Sequence, residues 1–279
     1  MAWWLVGAAG YFAATRPNPR PIQPLQQLAG HAVAVHSVQA VDGVTSRAWW
    51  IPAGDARRAV VLCAGIRGDR QRMLGRARFY LERGWSTLLV DLRGTGESER
   101  VRISMGWHEA LDLLAWRQWL LQRGVEQVGV HGQSLGAAAA AFTALRDRDA
   151  ARWHFLVLEA CYTNLAEAAA ARARGVPQAC YWPMLWLAEW LLDLDVEAMD
   201  AVAALRQQPA PTLLLCGDRD RKVGRDGLRR LFEASAAADK VRYEVPGIAH
   251  RDLWRGGGEA VRVVVDRFLA RRRAAIEPR

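Results

Sequence analysis

The stretch Gln127-Val128-Gly129-Val130-His131-Gly132-Gln133-Ser134-Leu135-Gly136, followed by alanines at 137–141, decides the fold. Residues 127–131 read as a strand and 135–146 as a helix, so G-x-S-x-G falls on a strand-to-helix turn. The bare pattern is weak, and this context makes it specific. A serine there is lifted above the sheet on a sharp, strained turn. Side chains two residues before and after would collide, so Gly132 and Gly136 are required. The following helix aims its N-terminus at the serine and favours developing negative charge. The alanine run lets that helix pack close to the sheet.

Working outward, the same alternation recurs. Residues 32–40 and 46–51 read as a hairpin around the turn signal Asp42-Gly43. Short apolar runs at 59–64, 86–91, 155–159 and 212–216 read as buried parallel strands, and 241–245 as the last strand. Helical patterns fill 70–83, 106–122 and 224–234. A final helix starts near Gly258, with Val261, Val264, Val265, Phe268 and Leu269 on one face. An opening hairpin followed by strand–helix alternation predicts a mostly parallel sheet covered by helices, an α/β fold. Ligands then bind at the carboxyl ends of the strands.

A lone serine is a poor nucleophile and needs a base oriented by an acid. For this kind of turn the chain order is Ser, then Asp or Glu, then His. The strand at 212–216 runs into Gly217-Asp218-Arg219-Asp220. Asp220 is the preferred acid, with Asp218 its rival and Glu159 a third candidate. Of six histidines, His250 alone follows both Ser134 and these aspartates. Backbone donors for an oxyanion are expected from Leu135, directly after the serine, and Ile66, in the loop after residues 59–64.

Together these residues resemble the alpha/beta-hydrolase superfamily, from about residue 31 to the end. The resemblance rests on Gly65-Ile66, Asp91-Leu92-Arg93-Gly94-Thr95-Gly96-Glu97-Ser98, the turn at Ser134, Gly217-x-x-Asp220-x-x-Val223 and His250. Two departures stand out. Ala64-Gly65 replaces a common His-Gly before the oxyanion donor, and Ala249-His250 replaces a common Gly-His. The resemblance implies an eight-stranded sheet and a Ser–Asp–His triad, with neither metal nor organic cofactor. Within the superfamily the chain looks most like esterase, lipase and serine-aminopeptidase-like members, some with an N-terminal membrane anchor. A carboxylic ester hydrolase acting on a small acyl ester or lipid-like substrate is therefore expected. The alternatives are a peptidase or acyltransferase using the same triad, or a non-catalytic, membrane-tethered interaction protein.

Residues 164–208 break the strand–helix rhythm and read as a small helical cap inserted in a domain spanning 25–279. Trp182, Trp186 and Trp190 recur there every four residues and are candidates to line a substrate pocket. Residues 1–15, opening on Met1 and closing on Thr15, carry no charged side chain and include Trp3, Trp4, Tyr11 and Phe12. They are too short to span a bilayer, which needs about 20 apolar residues. They suit a membrane-surface anchor or an apolar arm packed on the domain. The Pro-rich residues 17–24 read as a linker.

Of 279 residues, 51% are hydrophobic and 24% charged, which excludes disordered, collagen-like and coiled-coil chains. The net charge of +9 rests almost wholly on arginine, since the lysines are Lys222 and Lys240 alone. No nucleic-acid-binding motif accompanies it, and no nucleic-acid partner is expected. Four cysteines without a C-x-x-C spacing argue against zinc and a disulfide framework. The expected location is cytoplasmic, with possible attachment to the inner face of a membrane.

Overall fold

The apolar runs pair side by side in one twisted layer. The computed structural model describes residues 2–54, 56–149, 151–173 and 177–273. The side chains of 2–6, 178–181 and 273 lie outside that description, and with them those of Trp3 and Trp4. The strands are β1 (Ala34–Gln39), β2 (Thr45–Ile51), β3 (Arg58–Cys63), β4 (Ser86–Asp91), β5 (Gln127–Gln133), β6 (Leu156–Glu159), β7 (Thr212–Gly217) and β8 (Lys240–Val245). Their order across the sheet is β1-β2-β4-β3-β5-β6-β7-β8. Only β2 runs against its neighbours, pairing antiparallel with β1 and β4. The other pairs are parallel. This is the alpha/beta-hydrolase fold.

Burial explains the runs. Every residue of β4, β6 and β7 is buried, because helices cover both faces. Along β3 the side chains alternate between two cores. Val61 and Cys63 face one cluster, containing Trp116 and Phe142; Val60 and Leu62 face the other, containing Tyr80 and Phe268. The first layer is built by α3 (Glu109–Leu121) and α4 (Leu135–Arg146). The second is built by α2 (Leu74–Leu81) and α9 (Gly258–Arg273). Cys63, Cys161 and Cys216 are buried free thiols. Burial pushes Cys63 and Cys161 up to about 12, so they behave as small apolar groups.

A helical segment lies between β6 and β7. It holds α5 (Leu165–Arg172) and α6 (Gln178–Leu192), and its two ends meet where Asn164 bridges Asp200. Leu165 N donates to Met199 O (3.1 Å) and Ala201 N to Thr163 O (2.7 Å). The next helix, α7 (Ala201–Arg206), packs on α4 and on α8 (Gly224–Ala234). It therefore packs with the main helical layer rather than with α5 and α6.

The N-terminal segment packs on the domain as an apolar arm. Ala2–Ala14 forms a helix, α1, packed against α6. The crossing is close: a Cβ on Gly7 would lie 2.7 Å from the Pro183 Cβ. Residues 17–24 are not a free linker. Asn18 and Pro19 lie parallel to Thr95 and Gly96. Asn18 N donates to Gly94 O (2.7 Å) and Arg20 N to Gly96 O (2.8 Å). The prolines at 17, 19 and 21 take the alternate positions, where an edge strand needs no donor. Among the described residues, no helix is long and apolar enough to cross a membrane.

Candidate active site

The turn after β5 has the strain its sequence implies. Ser134 sits at φ 51°, ψ −107°, a conformation that L-residues rarely adopt. Its N–H donates to Glu159 O at 2.7 Å, anchoring the turn to β6. A Cβ on Gly132 would come within 2.4 Å of the Gly136 backbone; one on Gly136, within 2.6 Å of Cys63 O. Both glycines are therefore fixed by close backbone approach. Gly136→Ala is expected to lower stability by about 1–3 kcal/mol through overpacking, read as a fall in the denaturant midpoint at unchanged slope. An unchanged midpoint would show that β3 can move away.

Three polar side chains meet above the carboxyl ends of β5, β7 and β8. Ser134 Oγ lies 3.1 Å from His250 Nε2, and His250 Nδ1 lies 2.7 Å from Asp220 Oδ2. Asp220 is 2% exposed. Its other oxygen accepts from Lys222 N (2.8 Å) and Val223 N (3.1 Å). Burial works to raise the Asp220 carboxyl. The His250 bond and charge and the two backbone donors outweigh it and hold the carboxyl below its ordinary value. Asp218 instead accepts from Gly247 N (2.7 Å), bracing the loop that carries His250. Leu135 opens α4, so its N–H has no acceptor one turn back. The loop with Ile66 passes directly beside the serine, since a Cβ on Gly65 would lie 3.3 Å from Ser134 Cβ.

Glu159 has a different partner set from the one its candidacy as the acid would need. It lies in a buried network under the site. Arg76 Nε and Nη2 reach its two oxygens at 2.8 and 2.6 Å, and His131 Nε2 is 2.6 Å from Oε1. Tyr80 Oη is 3.0 Å from His131 Nδ1. Arg76 Nη2 also reaches Asp252 Oδ1 at 2.8 Å, two residues after His250. Arg76, His131 and Glu159 are at most 1% exposed. Burial lowers His131 more than Glu159 raises it, so the ring is neutral. It donates from Nε2 to Glu159 and accepts the Tyr80 proton at Nδ1. Burial would raise Glu159, but Arg76 and His131 hold it at about 2. Sequence reasoning missed Arg76, Tyr80 and Asp252. The available signal was an arginine at 76 in a helical stretch that otherwise buries Ala77, Phe79 and Tyr80.

The three tryptophans are not among the described residues that line the cavity beside Ile66. Trp182, Trp186 and Trp190 are 56%, 44% and 71% exposed, on the outward face of α6, and the last two rings stack 6.0 Å apart. The inward face presents Met184, Leu185 and Ala188 to a cavity of about 470 Å³ shared with α1, α5 and Ile66. Spacing of four residues shows that the rings share a face, and α1 packing on α6 decides which face that is. Phe12 and Leu191 are also exposed, at 50% and 44%. Among the described residues, no cluster of His, Cys, Asp or Glu could hold a metal ion.

Comparisons with known proteins give the family and the fold. The chain is 32% identical over 265 residues to the uncharacterized protein Rv2307c of Mycobacterium tuberculosis, covering 93% of this chain and 85% of that one. It is 23% identical over 234 residues to the uncharacterized protein YqkD of Bacillus subtilis, covering 81% and 76%. Among solved structures it is similar to the Pyrococcus furiosus esterase Pf2001. The TM-score there is 0.74 at 20% identity, over 92% of this chain and 98% of that one. Residues 73–245, which run from the start of α2 to the end of β8 and include the Ser134 turn and Asp220, match the prolyl oligopeptidase family. The chain belongs to that family, and so to the alpha/beta-hydrolase superfamily of serine hydrolases.

Proposed function

We propose that the chain hydrolyses carboxylic esters through an acyl-enzyme on Ser134. The observation that carries the reading is the unbroken relay Ser134 Oγ–His250 Nε2 (3.1 Å) and His250 Nδ1–Asp220 Oδ2 (2.7 Å). Ser134 Oγ attacks the ester carbonyl carbon while His250 Nε2 takes its proton. Asp220 keeps the other ring proton on Nδ1 and stabilises the imidazolium. The N–H groups of Leu135 and Ile66 hold the oxyanion. Collapse breaks the bond to the alcohol, which leaves with the proton from His250. Water then repeats the sequence on the acyl-enzyme, releasing the acid and free Ser134.

Esters are favoured over peptides by the walls around Ile66, which among the described residues contain no Asp or Glu to hold a peptide amino group. The Pyrococcus neighbour is itself an esterase. The family's oligopeptidase name makes peptide cleavage the competing reading. The test compares p-nitrophenyl butyrate with a prolyl p-nitroanilide. Turnover of the ester, with the anilide left intact, is expected. A higher kcat/KM on the anilide would replace the ester reading with the peptidase one.

A further inference from the structure

We propose that the cavity between α1, α5 and α6 is an acyl-chain subsite, and that the N-terminal helix forms one of its walls. This deepens the ester reading and rests on it for the reaction, though not for binding. The cavity, of about 470 Å³, falls in the range of roughly 300–1,000 Å³ typical of small-molecule sites. It begins at Ile66, one residue beyond the glycine that touches Ser134. From there it runs between Gly10 and Ala14 of α1, Ala169 of α5, and Leu185 and Ala188 of α6.

Three of its polar wall groups are engaged, while the Tyr11 hydroxyl is buried there with no hydrogen-bond partner among the described residues. Arg67 donates to Ala13 O, Arg172 to Ala168 O (2.9 Å), and the Thr15 hydroxyl to Tyr11 O (2.9 Å). An alkyl chain costs no hydrogen bond there beyond the one the Tyr11 hydroxyl already lacks. A peptide would bury amide groups without partners there, at a cost of about 1–3 kcal/mol each.

The N-terminal segment is built into the site. Arg67, next to Ile66, ties the end of α1 to the Ile66 loop, and Asn18 Nδ2 donates to Arg67 O at 2.8 Å. Ile103 N donates to Thr15 O at 2.9 Å, and Arg102 reaches the Thr15 hydroxyl at 3.0 Å. The helix is therefore held at its C-terminal end, with its small residues facing the cavity. Those small residues keep the space open, and their size sets the chain length the site takes.

Two measurements test this on the full chain. The first follows binding of decanoate to Ser134→Ala protein by calorimetry, with and without Ala188→Phe. The second follows the ratio of kcat/KM for decanoyl and acetyl p-nitrophenyl esters in wild type, Ala188→Phe and Leu185→Ala. We expect decanoate to bind, and Ala188→Phe to weaken it roughly tenfold or more. The ratio should fall by a similar factor in Ala188→Phe and shift toward longer chains in Leu185→Ala. Decanoate binding that ignores Ala188→Phe, or a ratio that neither variant moves, would overturn the subsite while leaving esterase activity in place. Binding that behaves as expected in a protein that cleaves no ester would keep the subsite and overturn the proposed reaction.

Discussion

Ser134→Ala is expected to lower kcat on an ester by about 10⁴-fold or more, and His250→Ala by a comparable factor. The double variant should be scarcely worse than either single one. In the proposed mechanism the two side chains make one device, because Ser134 would be nucleophilic only while His250 Nε2, at 3.1 Å, can take its proton. Asp220→Asn should also be severe. In the proposed mechanism Asp220 Oδ2 accepts the hydrogen bond from His250 Nδ1 at 2.7 Å, and an amide cannot hold that tautomer with the same bias. Residual turnover in the variants would come from the backbone donors and substrate binding. Additive losses, with the double variant far below each single one, would mean that Ser134 and His250 act separately.

The second large effect is structural. Arg76→Leu removes the partner of two buried carboxylate bonds to Glu159 and leaves that charge unpaired. Breaking such a pair costs about 3–5 kcal/mol, which chemical denaturation would read directly. Asp252 loses the same partner, so the loop carrying His250 should loosen and activity fall with stability. The pH dependence has a definite sign. Glu159 titrates at about 2 in the folded chain and near its ordinary 4.5 when unfolded. Its contribution is therefore complete above pH 4.5 and is lost as pH falls toward 2, on the order of 3 kcal/mol in all. The stability gap between wild type and Glu159→Gln should narrow over that window. A gap constant from pH 6 to 2.5 would mean that Glu159 is not held as an ion by Arg76.

The site was legible where chain order and local sterics decide it. Gly132 is demanded by backbone approach to Gly136 within one turn, so that turn could be read from ten residues, whereas Gly136 is held by the approach of Cys63 O on β3. Ser134, Asp220 and His250 follow three separate strands in the order the chemistry needs, and the structure brings them together. What stayed illegible depends on contacts distant in sequence. Residues 1–15 are apolar without a polar face, so no pattern tells which side of α1 packs, or that α6 is its partner. That packing decides that Trp182, Trp186 and Trp190 point outward. The two ends of the segment holding α5 and α6 meet where Asn164 bridges Asp200, a pairing that no local signal announces. Arg76 hides among 38 basic residues, most of them ordinary surface charges, and only burial against Glu159 sets it apart.

The most direct test of the account is reaction with a fluorophosphonate probe, followed by intact mass and peptide mapping. Wild type should gain one adduct, on Ser134. Ser134→Ala should gain none, and His250→Ala should react far more slowly. An adduct on another residue, or equal labelling of the folded His250→Ala variant, would contradict an activated serine at the Ser134 turn.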